Sequence, residues 1–210
     1  MKKSDHNSQQ TLPASNAGFA RRNVLNRDAA LFWGIIAVFI LALTSFTVQA
    51  QTPKPIKPEG YGTSANPYEI KQAENLLWMS QNVAFSAGRY FLLKNDIDAS
   101  ATENWETGKG FPPIGNASNK FGGYFYGDGK TISGLKINRP VASHVGLFGY
   151  ADGAFIDRLR LENPSIQGGS WTGALVGYLN NGQVNGCSVT GGPMISGADY
   201  TGALVGAAYK

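Results

Sequence analysis

Residues 164–177, Pro-Ser-Ile-Gln-Gly-Gly-Ser-Trp-Thr-Gly-Ala-Leu-Val-Gly, return at 193–206 as Pro-Met-Ile-Ser-Gly-Ala-Asp-Tyr-Thr-Gly-Ala-Leu-Val-Gly. Trp171 of one copy is matched by an aromatic, Tyr200, in the other. An earlier version of the end of this unit is Val145-Gly146-Leu147-Phe148-Gly149, placed before Gly177 by nearly the same interval. A segment this short cannot enclose its own apolar face, so a chain that repeats it must stack the copies.

A second unit lies between these blocks. Ile132-Ser133-Gly134-Leu135-Lys136-Ile137 aligns with Ile156-Asp157-Arg158-Leu159-Arg160-Leu161 and with Val184-Asn185-Gly186-Cys187-Ser188-Val189, with apolar first, fourth and sixth positions each time. The last two alternate around a polar residue, the period of a strand with one buried face. Short runs rich in glycine and β-branched side chains favour strands over helix. A period of about 24–29 residues holding two or three short strands suits one coil of a parallel β-helix. Coils stacked about 4.8 Å apart would pile equivalent Leu, Ile and Val residues into inward columns. Gly149, Gly177 and Gly206 are predicted to stack at a corner that needs positive φ or close backbone approach. The Asn ladder of a leucine-rich repeat is missing, and a propeller blade needs about forty residues or more.

The fold class expected is therefore all-β: a short right-handed parallel β-helix with an N-terminal capping helix. Residues 60–120 would form the cap and first coils, and residues 121–210 the repeats. The spacing predicts a helix over 72–80, which would lid the open end of the solenoid, then a strand over 90–93 leading into Asn95-Asp96-Ile97-Asp98. The chain stops soon after Gly206 with no recognisable cap, so the repeats are expected to be truncated from a longer protein.

Ala29 to Val48 is an uninterrupted run without a charge, preceded by Arg21, Arg22 and Arg27 and followed by Gln49-Ala50-Gln51. Positive flank, apolar core and small residues in this order are those of a secretory signal, with residues 1–50 removed between Ala50 and Gln51. The run is also long enough to span a bilayer as an uncleaved anchor helix. Either way, the downstream residues are expected outside the cytoplasm, at the cell surface or in the medium. Residues 51–60, with three prolines, read as a stiff linker. Net basic charge sits almost wholly in the first 50 residues, which hold five Lys or Arg against two Asp. The rest balances 13 basic against 12 acidic residues, and such a weak field argues against nucleic acid as a partner. Membrane contact is expected only through the apolar run.

The series Gly146-Leu147-Phe148-Gly149, Ala174-Leu175-Val176-Gly177 and Ala203-Leu204-Val205-Gly206 resembles the repeat of the GLUG-motif bacterial surface proteins. The second and third copies carry Ala at the first glycine position, preceded by Gly173 and Gly202. The upstream segments also resemble that family: Gly62-Thr63 to Asn66-Pro67-Tyr68, Asn95 to Asp98, Pro113-Ile114-Gly115, and Phe125 to Leu135. Together they cover residues 60–206. The family is similar to filamentous-haemagglutinin-type adhesins and to the non-catalytic regions of immunoglobulin-A peptidases. The resemblance implies a displayed scaffold without catalytic residues, cofactor or metal, whose partners would be host glycans or surface proteins.

Residues with chemical potential are few. His144 is the only histidine after the export segment, and no HExxH or paired-Cys spacing occurs. His144 is expected in a solvated turn. Cys187 stands alone, so it forms no internal disulfide and is expected to act as a small apolar group. Asp96 and Asp98 are two apart and could share one side, with Asp128 and Asp157 stacking near them in later coils. Such a cluster could serve sugar hydrolysis or elimination, or hold Ca²⁺; alternatively these residues close turns. A carbohydrate-active enzyme and a spacer for a downstream effector are thus the alternatives to a non-catalytic adhesive or binding module. The aromatics Trp105, Phe111, Tyr124, Tyr126, Tyr150, Trp171, Tyr178 and Tyr200 are dense for a repeat protein. Trp171 and Tyr200 are expected on one line, as a core or coil-edge ladder or as a binding strip.

Overall fold

One buried residue between two outward neighbours is the recurring sequence unit, and it makes the strands short. In Tyr124-Phe125-Tyr126, Thr131-Ile132-Ser133 and Lys136-Ile137-Asn138 the middle side chain is fully buried and its neighbours are half-exposed. The computed structural model describes residues 52–210. The apolar run, and the processing position at Ala50 and Gln51, lie outside the described residues.

The chain opens with β1 (Tyr68–Ile70), α1 (Ala73–Gln81), β2 (Tyr90–Leu93) and β3 (Ile97–Asp98). A 3-10 turn, Val83–Phe85, precedes β2, and after β3 the stretch Ser100–Gly108 holds two helical turns broken by a kink, where Trp105 is extended and Glu106 and Thr107 have positive φ. Next come β4 (Tyr124–Tyr126), β5 (Thr131–Ser133), β6 (Lys136–Asn138) and β7 (Phe148–Asp152). They are succeeded by β8 (Phe155–Asp157), β9 (Arg160–Glu162), β10 (Ser165–Gln167), β11 (Thr172–Gly173) and β12 (Val176–Asn180). The last five are β13 (Gln183–Asn185), β14 (Ser188–Thr190), β15 (Met194–Ser196), β16 (Thr201–Gly202) and β17 (Val205–Tyr209).

Pairing sorts the strands into parallel sheets, in agreement with an all-β chain. Sheet A runs β1-β2-β4-β8-β13, sheet B β3-β5-β9-β14, sheet C β6-β10-β15 and sheet D β7-β12-β17, with the β11-β16 pair as sheet E. Three successive passes visit A, B, C and D in the same order, the last two through sheet E as well. Registers put like on like: Phe125 opposite Ile156 and then Val184, Ile137 opposite Ile166 and then Ile195, Phe148 opposite Val176 and then Val205. Leu147, Leu175 and Leu204 each precede a member of the last of these rows. The first two are fully buried and Leu204 is half-buried. Each fully buried Leu or Ile contributes about 1.5–3 kcal/mol relative to exposure, before the entropy cost of ordering.

The register corrects one alignment. Ile156 and Val184 are paired, as are Leu161 and Val189, as the repeat requires. Ile132 pairs with Leu161, however, and not with Ile156. The unit at 132–137 therefore belongs one side further round the pass. The same pattern, strand then left-handed residue then strand, turns two different corners: at Gly134 and Asn163, and at Arg158 and Gly186. The glycine column is corrected in part. Gly149, Gly177 and Gly206 sit within strands, not at a corner, and none has positive φ. Close approach is what excludes a side chain there, since a Cβ on Gly177 would lie 2.6 Å from the Val145 nitrogen. The positive-φ corner just upstream is held by His144, Trp171 and Tyr200.

Helix α1 starts one residue later than predicted and buries Leu76, Leu77 and Met79 in the same apolar core as the sheets. Buried Asn75 fixes its start: Oδ1 accepts the Lys71 and Gln72 amides, and Nδ2 donates to the Ile56 carbonyl. The early passes are uneven. Phe91 of β2 pairs with Phe125 across a longer stretch of chain than separates Phe148 from Val176 or Ile166 from Ile195. Residues 99–123 take up the surplus and bring buried Trp105 and Phe111 into contact at 6.1 Å.

Candidate ligand-binding face

The four carboxylates do not form one cluster. Asp98 Oδ1 accepts the Ser100 amide at 2.9 Å, and that hydrogen bond holds its carboxyl below the usual range. Asp96 Oδ1 instead accepts the Thr131 amide, at 2.8 Å. Asp98 lies in the row of Ser133 and Glu162 in sheet B, whereas Asp157 lies opposite Tyr126 in sheet A. Asp128 occupies a left-handed turn position, φ 52°, and with Asp157 pairs with Arg158 at 3.6 and 2.9 Å. Asp96 and Asp98 thus cap separate backbone amides, and only Asp128 and Asp157 are brought together, on the one Arg158 guanidinium. The sequence could not reveal this, because sheet membership depends on the slipped alignment. Among the described residues no group of three or more His, Cys, Asp or Glu side chains converges as a metal-ligand set.

His144 is not a solvated turn residue but the first rung of an aromatic column. Its ring stacks on Trp171 at 4.7 Å and 15°, and Trp171 in turn lies 6.1 Å and 11° from Tyr200. Tyr150 and Tyr178, paired across sheet D, pack against the column; Tyr178 meets both His144 and Trp171 edge-on. Burial among these rings pushes the imidazole below its ordinary pKa, so the neutral form is favoured. The three rungs have φ 61°, 58° and 56°, a region that bulky residues rarely occupy. Lys120 completes this face. Its ammonium lies 5.0 Å from the Tyr150 ring and 3.2 Å from Asp152, which also accepts a hydrogen bond from Asn180.

A second aromatic group covers the outer side of sheet A. Tyr90, Tyr124 and Phe155 form one row; Leu92, Tyr126 and Asp157 form the next. Tyr90 stacks on Tyr124 at 4.5 Å and lies parallel to Tyr126 at 6.3 Å, and Phe155 tilts against both Tyr124 and Tyr126. Burial pushes the Tyr126 hydroxyl up in pKa. Six of the eight aromatics singled out in the sequence are thus outward, and Trp105 and Phe111 are inward. Sequence reasoning missed Tyr90 and Phe155, for which the signal available was the alternation around Phe91 and Ile156, and it gave His144 to solvent instead of to the column. In both groups ring faces are largely spent on one another. Outward there remain ring edges, Tyr hydroxyls and the charged rim of Lys120, Asp152 and Arg158, a surface able to make apolar and hydrogen-bonding contacts.

Two further features are minor. A shallow groove lies beside Ser100, Glu103, Gly134, Lys136, Ser165 and Met194. Cys187 packs half-buried against the core, and burial pushes its thiol up, which fits the small apolar role expected of it.

No family model matches the chain, and no solved structure matches it. Halomucin of Haloquadratum walsbyi is 37% identical over 156 residues, which is 71% of this chain and 2% of halomucin. A Gly-rich membrane protein of Evansella cellulosilytica is 33% identical over 161 residues, 74% of this chain and 18% of that protein. The chain therefore spans a small part of both relatives.

Proposed function

We propose that this chain is an exported, cell-envelope module that binds ligands at its surface without catalysing a reaction. Its described part would be a short right-handed parallel β-helix of the GLUG type, with α1 closing one end. The repeated order of the parallel sheets and the inward apolar rows support that architecture. The names of the relatives, one a halomucin and one a membrane protein, support a location at the envelope. An export-type segment at 29–48 supports it from within the sequence. Ala50 and Gln51 are where processing would separate that segment.

The observation that carries the binding role is the pair of outward aromatic groups, each laid across successive strands. Aromatic edges beside Tyr hydroxyls and fixed charges suit glycans or surface proteins, partners that offer mixed apolar and polar contacts. Cells displaying the full chain are expected to adhere to at least one class among immobilised glycans, matrix proteins and host cells. Tyr124→Ala with Tyr126→Ala, or Tyr178→Ala, is expected to lower that adhesion tenfold or more while surface display is unchanged. Absence of adhesion across all three classes overturns the binding role, and release of reducing or unsaturated sugar from a polysaccharide overturns the non-catalytic one.

A further inference from the structure

Asparagine followed two residues later by serine or threonine occurs twice in the chain, at Asn116-Ala117-Ser118 and at Asn163-Pro164-Ser165. Proline in the middle disqualifies the second as an acceptor of an N-linked sugar. Pro164 is also buried there, and Ser165 opens β10. The first triplet is placed differently. Fully buried Ile114 and Phe121 bracket it, their amides donating to the carbonyls of Leu147 and Tyr150 at 2.9 Å each. Between these anchors residues 116–120 are all exposed. Within the turn, Asn116 Oδ1 accepts the amides of Ser118 and Asn119, each at 2.9 Å, and the Asn116 amide donates to the Asn119 carbonyl at 2.7 Å. Asn116 Nδ2 and the Ser118 hydroxyl have no hydrogen-bond partner among the described residues.

We infer that Asn116 is a modification site, carrying an N-linked oligosaccharide on Nδ2. An Asn-x-Ser triplet in a surface loop of an exported chain is the acceptor this chemistry uses. The donor class is an oligosaccharide joined through C1 of its first sugar to a lipid phosphate, on the side of the membrane to which export delivers the chain. Nδ2 forms a bond to C1 as the C1–O bond breaks. The lipid phosphate leaves with that electron pair, and Nδ2 gives up one proton to a base of the transferring enzyme. No oxidant or reductant is consumed. The fold admits the product, because the triplet lies in the surplus stretch 99–123, between its buried anchors and outside every apolar row. A bulky sugar there displaces no inward side chain and breaks none of the pairings between strands. The inference rests on the export proposed above, but not on the binding role.

Mass spectrometry of the full chain, recovered from fractionated cells of its own species, tests it. Trypsin releases residues 110–120, between Lys109 and Lys120, in which Asn116 alone heads the triplet. Most copies of this peptide are expected to carry a sugar mass, with fragment ions placing it on Asn116. Asn116→Gln and Ser118→Ala are each expected to lower the modified fraction at least tenfold, and Ser118→Thr to retain it. Ser118→Ala keeps the acceptor nitrogen, so its effect reports on the triplet and not on the asparagine alone. Bare Asn116 in the exported chain, a sugar that survives Ser118→Ala, or a sugar placed on Ser118 or Asn119 each overturns the proposal. A chain held in the cytoplasm overturns the export reading and this inference with it, whereas bare Asn116 on an exported chain overturns this inference alone.

Discussion

Trp171 occupies a backbone conformation that a glycine or asparagine would enter more cheaply. A bulky side chain at φ 58° costs of the order of 1–3 kcal/mol. The offset comes from its rings, which contact His144, Tyr178 and Tyr200, each aromatic pair contributing about 0.5–1.5 kcal/mol. Replacement by alanine keeps the left-handed backbone and loses the contacts, whereas glycine loses the contacts but relieves the backbone. Trp171→Ala is therefore expected to lower stability by roughly 2–3 kcal/mol and Trp171→Gly by about 1 kcal/mol less than that, measured by urea denaturation. Equal losses would mean that the backbone at 171 carries no strain. Nothing in the sequence marks this corner. The usual sign of positive φ is glycine or asparagine, and here three aromatics take that place.

Columns are the unit at the level of the element. Leu175 has a neighbour both above and below, in the rows of Leu147 and Leu204, whereas Leu204 lies in the exposed layer. Leu175→Ala leaves an enclosed cavity and is expected to cost about 2–5 kcal/mol. For the chain as a single copy, Leu204→Ala is expected to cost about half as much, because solvent already reaches part of that side chain. Comparable losses, read from the same unfolding curves at low protein concentration, would contradict the depth order. The column itself was legible, since Leu147, Leu175 and Leu204 recur at nearly equal intervals. So were β2 and, within a residue, α1, where the pattern is periodic and helix formers are clustered. The place of residues 132–137 was not legible, because one apolar pattern turns two corners and only pairing distinguishes them. The separation of Asp98 from Asp157 was hidden for the same reason: position along the chain does not say which sheet a residue joins.

For the molecule as a whole, the unequal passes separate segments whose length is fixed from those whose length is free. More chain runs from Phe91 to Phe125 than from Phe148 to Val176, yet both pairs meet in register. The surplus lies in residues 99–123, where Asn116 to Lys120 are exposed. Insertion of a short Gly-Ser-Gly-Ser segment after Ala117 is expected to change stability by less than about 1 kcal/mol, since closing a slightly longer loop adds little entropy cost. The same insertion after Leu161 is expected to prevent folding, as judged by circular dichroism and protease resistance, because it displaces every later inward residue in its row.

Storey height in such a building is dictated by the backbone, whereas floor plan is free. Asn116–Asn119 is the balcony of this chain, an exposed stretch beside a wall whose vertical spacing it leaves alone. Foreign epitopes or peptide tags grafted there would be carried outside the stack, at a fixed level, without the storeys above them having to move.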